Sequence, residues 1–213
     1  MTLSNRLTIM RLICALVFIG VFFFDTFATY LIAWAIAIFS EVTDYLDGSI
    51  ARKRGEITDF GKLMDPFADS MTRFSFFICF YDSGVLFDLD KANWNKSVEF
   101  KLATIMIILI FYRDAGNLML RVLAMSKKIV IAARKSGKIK AGIQAVGIQV
   151  LFICLILRKM VDRNYFGLGE SGFLDNLIPQ ISFYTMVVIT IYTVYSAFDY
   201  WFSNKHIVAA VEK

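Results

Sequence analysis

Four aspartates within a short stretch, Asp44, Asp47, Asp65 and Asp69, are the residues whose type and spacing could do chemistry. Asp44, Asp47, Gly48, Ala51 and Arg52 fall at i, i+3, i+4, i+7 and i+8, while Gly61, Asp65 and Asp69 step by four. On α-helices each set forms one face, so two helices joined by a short basic connection can aim four carboxylates at one point. Carboxylates gathered at low dielectric repel one another and must protonate, pair with cations or bind metal. All the donors are oxygen and the single histidine, His206, lies far along the chain, so Mg²⁺ or Mn²⁺ fits this set and zinc does not. Mg²⁺ is commonly shared between carboxylates and substrate phosphates, which points to a phosphate-bearing substrate. Small Gly48, Ala51 and Gly61 leave room for a ligand or a close helix, and Arg52 can pair with a phosphate or with an aspartate. The plainer use of the same acids is a structural ion-pair network with Arg52, Arg54 and Arg73.

The elements that must hold these residues are apolar. The chain has 213 residues, 58% of them hydrophobic, with only 12 Gly and 2 Pro. Ordinary soluble domains lie nearer to about 45–50% apolar. Apolar windows recur at 7–24, 27–48, 61–81, 100–123, 139–157 and 177–202, each long enough to cross about 30 Å of hydrocarbon as helix. The dyad alternation of a membrane barrel does not appear. The expectation is therefore an all-α polytopic membrane protein, with six transmembrane helices in one domain over residues 1–213 and a polar loop at 82–99. The first window runs into Asp25 without a small-x-small cleavage site, so it reads as a retained span and not as a signal peptide. With the N-terminus inside, 14 of the 23 Lys and Arg fall on the inner side and 6 on the outer, which puts both termini and the aspartates in the cytoplasm.

Several features read as plain construction. Cys14, Cys79 and Cys154 lie scattered in apolar runs without paired spacing, as packing residues. The net charge of +5 comes from basic residues bordering apolar segments, which serves orientation and anionic headgroups in place of nucleic acid. Tyr30, Trp34, Tyr192, Tyr195, Tyr200 and Trp201 read as interfacial anchors or packing. Pro66, next to Asp65, removes a backbone donor, so a local distortion that aims Asp65 and Asp69 is expected. Charges inside membrane helices cost about 2.5–3.5 kcal/mol each on insertion scales and so mark function, which includes ion-coupled transport. Against transport, the aspartates cluster at one level and do not step across the bilayer.

Asp44-x-x-Asp47-Gly48-x-x-Ala51-Arg52, eight residues, Gly61-x-x-x-Asp65-x-x-x-Asp69 resembles the signature of the CDP-alcohol phosphatidyltransferase family with every fixed position filled. The resemblance implies an integral membrane enzyme, acting as a homodimer in a bacterial inner membrane, that transfers a phosphatidyl group from a CDP-linked lipid to an alcohol and releases CMP. It further implies that Asp44, Asp47, Asp65 and Asp69 hold two Mg²⁺ or Mn²⁺ ions, that Asp69 is the general base, and that Asp44, Gly48, Ala51, Arg52 and Gly61 line the CDP pocket.

The acceptor must be read outside the signature. Asn5-x-Leu7-Thr8-x-x-Arg11, Arg113-Asp114 and the stretch from Ala133 to Gln144 resemble the branch of the family that joins CDP-diacylglycerol to sn-glycerol 3-phosphate. Ser4, Asp114 and Ala141 stand where that branch commonly carries Pro, Glu and Thr. Read as residues alone, Arg113, Arg121, Lys135, Lys138 and Lys140 make a cationic pocket suited to a phosphorylated acceptor. Inositol phosphate would suit the same charge, and serine, phosphatidylglycerol or a CDP-choline type of donor stay open as alternatives.

Overall fold

The computed structural model describes residues 3–54, 59–86, 94–126, 135–163 and 173–205, with the side chains at 3–5, 45–54, 59, 60, 62, 94–97 and 99 outside that description. Six helices account for nearly all of it: α1 (Leu3–Phe22), α2 (Phe27–Arg54), α3 (Asp59–Asp82), α4 (Trp94–Ser126), α5 (Lys135–Asp162) and α6 (Phe173–Ser203). Each apolar window lies within one helix apart from a residue or two at its end, but the helices outrun the windows. α4 takes in residues 94–99, expected as loop, and α2 continues to Arg54. An apolar window measures the stretch that suits hydrocarbon, whereas Lys, Arg and Glu are good helix formers and carry the helix on past it.

Among the described residues, four helices are long and apolar enough to cross a membrane: those containing Phe27–Asp44, Phe100–Ser126, Lys135–Asp162 and Phe173–Ser203. The outward side chains are apolar, among them Leu16, Phe24, Tyr112, Val146, Ile191 and Phe202. Thr8, Gln144, Ser182, Thr193 and Ser196 are instead fully buried. Polar groups turned inward and apolar groups turned outward are what a lipid surround demands.

α3 is the central strut, packing on α1, α4 and α5, and the most extensive contact lies between α5 and α6. The half of the bundle beyond the site is an aromatic core. Phe18 meets Phe76 edge-on with ring centroids 4.6 Å apart, Phe80 meets Phe152 at 4.8 Å, and Phe22 meets Tyr30 at 4.9 Å. Edge-to-face pairs of this kind each add about 0.5–1.5 kcal/mol beyond area burial. Tyr30, expected as an interfacial anchor or as packing, is inside this core.

Sequence chemistry also fixes the turn between α1 and α2. Thr26 and Thr29 exchange hydrogen bonds, each backbone N–H donating to the other's Oγ1 at 3.0 and 3.2 Å, which caps the start of α2. Asp25 sits at φ 50°, a conformation Asp tolerates better than most residues. Its carboxylate accepts a hydrogen bond from Tyr30 and lies 3.0 Å from Lys159 Nζ on α5. Nearby, Arg158 donates to the Gly84 carbonyl at 2.7 Å, so α5 ties down the turns that leave α1 and α3.

Burial by itself would raise the Asp25 carboxyl, but hydrogen bonds from Tyr30 and Lys159 and the charges of Lys159 and Arg163 outweigh it and hold it below its ordinary 3.8. A carboxyl that titrates lower when folded contributes stability in full above its unfolded value, and loses it as pH falls through the folded value. Asp25→Asn is expected to lower stability by about 0.2–1 kcal/mol at pH 7. Melting curves of both proteins in detergent should converge once the pH drops below Asp25's own titration, and a constant gap at all pH values would remove its charge from the account.

Gly147 sets the α5–α6 distance. A Cβ there would stand 2.4 Å from Ile189 Cδ1 and 3.0 Å from Ile189 Cγ1. Gly147→Ala is expected to cost about 1–3 kcal/mol of stability by overpacking. Adding Ile189→Ala should return part of that loss in the same unfolding measurement, whereas additive losses would mean that this contact does not limit the approach.

Candidate functional site

The site lies at the end of the bundle where α1, α3 and α5 begin and α2, α4 and α6 finish. A cleft of about 320 Å³ is lined by Asp44 of α2, by Asp65, Pro66, Asp69 and Ser70 of α3, by Arg113, Asp114, Asn117, Leu118 and Arg121 of α4, by Gly137, Lys138, Lys140 and Ala141 of α5 and by Tyr200 of α6. The acids expected on one helix pair and the bases expected on another thus share one hollow. The Asp44 and Gly61 side of the motif is described, with Gly61 buried, while the side chains of Asp47, Gly48, Ala51 and Arg52 lie outside the described residues.

Each described motif acid has a partner. Arg11 of α1, almost fully buried, places Nη1 2.6 Å from Asp44 Oδ1. Thr8, one turn earlier, donates its hydroxyl to Asp65 Oδ1 at 2.5 Å. Asp69 Oδ1 lies 2.9 Å from Arg73 Nε, one turn along α3. Arg73 is the busiest group in the site. Its Nη1 donates to Gln144 Oε1 at 2.9 Å and to the Ala141 carbonyl at 3.3 Å, and its Nη2 stands 3.9 Å from Glu41 Oε2 on α2. Gln144 in turn donates from Nε2 to Thr193 of α6 at 3.3 Å. One guanidinium therefore links α2, α3 and α5, with α6 behind them, and holds two acids. α3 is continuous through Pro66, whose carbonyl accepts from Ser70 Oγ at 2.8 Å.

The basic wall is more structured than charge counting expects. Lys140 donates to both Asp114 oxygens, at 2.8 and 2.9 Å, and Arg113 Nη1 reaches Asp114 Oδ1 at 2.7 Å. Arg113 Nη2 also donates to Ser196 of α6 at 2.7 Å. Asp114 thus compensates two of the five expected phosphate ligands. Arg121 and Lys138 line the cleft with no carboxylate partner among the described residues. Lys135, the first residue of α5, is exposed and does not line the cleft. Asp114, Asn117, Ser70 and Tyr200 were not expected to line it. The α4 period of four that joins Arg113, Asn117 and Arg121 was available to find Asn117, whereas Tyr200 carries no signal in its own neighbourhood.

A model of the CDP-alcohol phosphatidyltransferase family matches residues 1–194, nearly the whole chain. The chain belongs to this family. Among curated relatives, it is 33% identical over 152 residues to a CDP-diacylglycerol–glycerol-3-phosphate 3-phosphatidyltransferase of Mycoplasma genitalium, covering 71% of this chain and 56% of that protein. It is 33% identical over 156 residues to a probable phosphatidylglycerophosphate synthase of Mycobacterium tuberculosis, covering 72% of this chain and 66% of that protein. A third relative, a CDP-diacylglycerol–glycerol-3-phosphate 3-phosphatidyltransferase of Bacillus subtilis, is 33% identical over 116 residues, which are 54% of this chain and 52% of that protein. The chain thus spans between about half and two thirds of the length of these relatives.

Arg73 offers a direct check of the network. Arg73→Met would leave Asp69 and Glu41 without their shared counter-charge, a loss expected at about 3–5 kcal/mol. Arg73→Lys keeps the charge but lacks the planar fork that reaches Asp69 and Gln144 together, so it should fall between the wild type and Arg73→Met. Unfolding in detergent should give that order, and equal stability of all three proteins would mean that the network carries no load.

Proposed function

We propose that this chain is a metal-dependent phosphatidyltransferase that moves the phosphatidyl group of CDP-diacylglycerol onto sn-glycerol 3-phosphate, forming phosphatidylglycerophosphate and CMP. The observation that carries the reading is the shared cleft, with the signature acids on α2 and α3 facing Arg121 and Lys138 on α4 and α5. A transferase for two anionic substrates needs both walls at once. An ion-coupled transporter has no use for a cluster of cations at the level of its acids. The printed names of the relatives support the same acceptor.

Asp44, Asp65 and Asp69 turn only oxygen donors into the cleft, and Asp47 lies one turn from Asp44 on α2, a donor set that fits Mg²⁺ or Mn²⁺. Asp47 is undescribed at its side chain, and among the described residues no three acids come together around one point. These four aspartates would hold two such ions, which when bound would offset the pyrophosphate charge and the charge developing on the departing CMP. Arg11 and Thr8 hold Asp44 and Asp65 in place ahead of that event. The family resemblance supports Asp44, Gly48, Ala51, Arg52 and Gly61 as the residues that bind the CDP group.

Arg73 engages Asp69 through Oδ1, which leaves Oδ2 to accept the proton of the acceptor hydroxyl as its oxygen attacks phosphorus and the bond to CMP breaks. Arg121 and Lys138 receive the acceptor's phosphate, and the Arg113–Asp114–Lys140 cluster forms the floor against which it rests. Lys135 stands outside the cleft and attracts the anionic acceptor at longer range. The six apolar windows support six spans in one domain, the distribution of Lys and Arg supports both termini and the cleft on the cytoplasmic side, and the family resemblance supports a bacterial inner membrane. The family resemblance supports a homodimer.

Purified protein given CDP-diacylglycerol and Mg²⁺ or Mn²⁺ should release CMP with sn-glycerol 3-phosphate, and a chelator should abolish release. Asp69→Asn is expected to cut turnover by about 10²–10⁴-fold, as loss of a general base does. Release with inositol phosphate, serine or phosphatidylglycerol in place of glycerol 3-phosphate would keep the transfer and remove the acceptor assignment. Silence with every acceptor, and with CDP-choline as donor, would remove the transfer itself.

A further inference from the structure

The inward faces of α4 and α6 change character at one level. On α6, Thr193, Ser196 and Tyr200 follow one another at about one turn each and are all buried. Thr193 is bonded to Gln144 and Ser196 to Arg113. The Tyr200 hydroxyl, in a residue only 6% exposed, has no hydrogen-bond partner. On α4, Arg113 donates from Nη1 to Asp114 and from Nη2 to Ser196, while its Nε has no partner. One turn on, Asn117 is 8% exposed and its Oδ1 has no partner. One further turn brings Arg121, which is without a carboxylate partner among the described residues. Asn117, Tyr200, Arg121 and Lys138 all line the same cleft as Asp69.

A buried polar atom without a partner costs about 1–3 kcal/mol, and the Tyr200 hydroxyl and Asn117 Oδ1 belong to residues that line the cleft, so a ligand that supplies the missing bonds would offset that cost. The phenol hydroxyl can donate and accept, and the amide oxygen accepts, so together they match an alcohol rather than a phosphate. Phosphate is matched by the neighbouring cations. The spacing from Asn117 to Arg121 is one helical turn, about 5.4 Å, which is the scale of a three-carbon chain with a phosphate at one end.

We propose that Asn117 and Tyr200 form a hydroxyl-reading subsite, which binds the acceptor's non-reacting hydroxyl while Arg121 and Lys138 bind its phosphate. The inference rests on the transferase reading above and names the part of the acceptor that this wall recognises. A sugar hydroxyl of the donor nucleotide has the same chemistry. The acceptor is favoured because the nucleotide residues of the signature all lie on α2 and α3, whereas Asn117 and Tyr200 lie on α4 and α6, in the same cleft as the cations of α4 and α5. The subsite would make the enzyme a polyol-phosphate reader and not only an anion trap. Charge alone admits any small phosphate monoester.

The test compares sn-glycerol 3-phosphate with 3-hydroxypropyl phosphate, which keeps the phosphate and a primary hydroxyl but lacks the second hydroxyl. Binding of each to the purified full chain is measured by calorimetry, and CMP release is measured alongside with CDP-diacylglycerol. Wild-type protein is expected to favour glycerol 3-phosphate by roughly 100-fold, since a site that bonds a hydroxyl rejects the analogue without it. Tyr200→Phe and Asn117→Ala should each cut that preference about tenfold, through a raised Kd and KM for glycerol 3-phosphate and with the KM for CDP-diacylglycerol unchanged. Equal binding of the two compounds by wild type overturns the proposal without any variant, so a misfolded Asn117→Ala would not protect it. An unchanged preference in Tyr200→Phe overturns it too. A shift confined to the CDP-diacylglycerol KM gives the hydroxyl to the donor and also overturns it. If no acceptor releases CMP, the transferase reading falls while the calorimetric preference still judges the subsite.

Discussion

One buried guanidinium organises the reactive end of this molecule. Arg73 is almost wholly removed from solvent and is shared by Asp69, Glu41, Gln144 and the Ala141 carbonyl. A buried charge without partners is too costly to keep, and a cluster of acids without a cation is equally so. Each need meets the other here. Because its partners sit on α2, α3 and α5, satisfying this one group fixes how those helices stand relative to one another. The same logic repeats on a smaller scale at Arg11 with Asp44 and at Lys140 with Asp114. Every helix from α1 to α5 contributes a charged residue to the cluster of pairs. α6 contributes hydroxyls, Thr193 and Ser196.

The bundle therefore has two ends built on different physics. Beyond the site, Phe18, Phe76, Phe80 and Phe152 pack ring against ring and need only shape and area. At the site, position is set by ion pairs and hydrogen bonds, which hold the acids even before a substrate arrives. The cationic partners Arg11 and Arg73 are buried, which limits the competition from water. The cost of this arrangement is visible in α3. Its acids and Arg73 hold it below the apolarity that marks the other long helices as spans, although it is the strut on which α1, α4 and α5 pack.

The sequence made the helices legible because each crossing needs a long apolar run, and such runs survive in the amino-acid order. It made the acids legible because Asp44 with Asp47, and Gly61 with Asp65 and Asp69, keep helical periods within single segments. What could not be read was pairing between segments. Arg73 sits on the face that carries Asp69, yet nothing near it in sequence announces Gln144, which is 71 residues away. Lys140 reads as a free cation in the sequence, because its neutraliser, Asp114, lies 26 residues away and is paired there only with its neighbour Arg113. Tyr200 read as an interfacial anchor or as packing, and not as lining a site, because a hydropathy pattern does not say which side of α6 faces the bundle. Helix ends slipped for a simpler reason, since polar residues such as those at 94–99 leave the membrane before they leave the helix.

The two walls of the cleft differ in how their charges are held, and that difference fits a reaction between two anions. On the acid wall every described carboxylate is bonded, by Arg11, Thr8 or Arg73. On the basic wall the inner cations are neutralised by Asp114, and the uncompensated ones, Arg121 and Lys138, sit nearer to the end of the bundle. On the proposed reading, an incoming phosphate would meet uncompensated positive charge first and a neutralised floor behind it. Without Asp114, four cations would compete for one phosphate, and several registers would be nearly equal in energy. With Lys140 and Arg113 held by this one acid, a single position would be favoured, and a reaction that must align a hydroxyl with a phosphorus atom depends on having one position and not several.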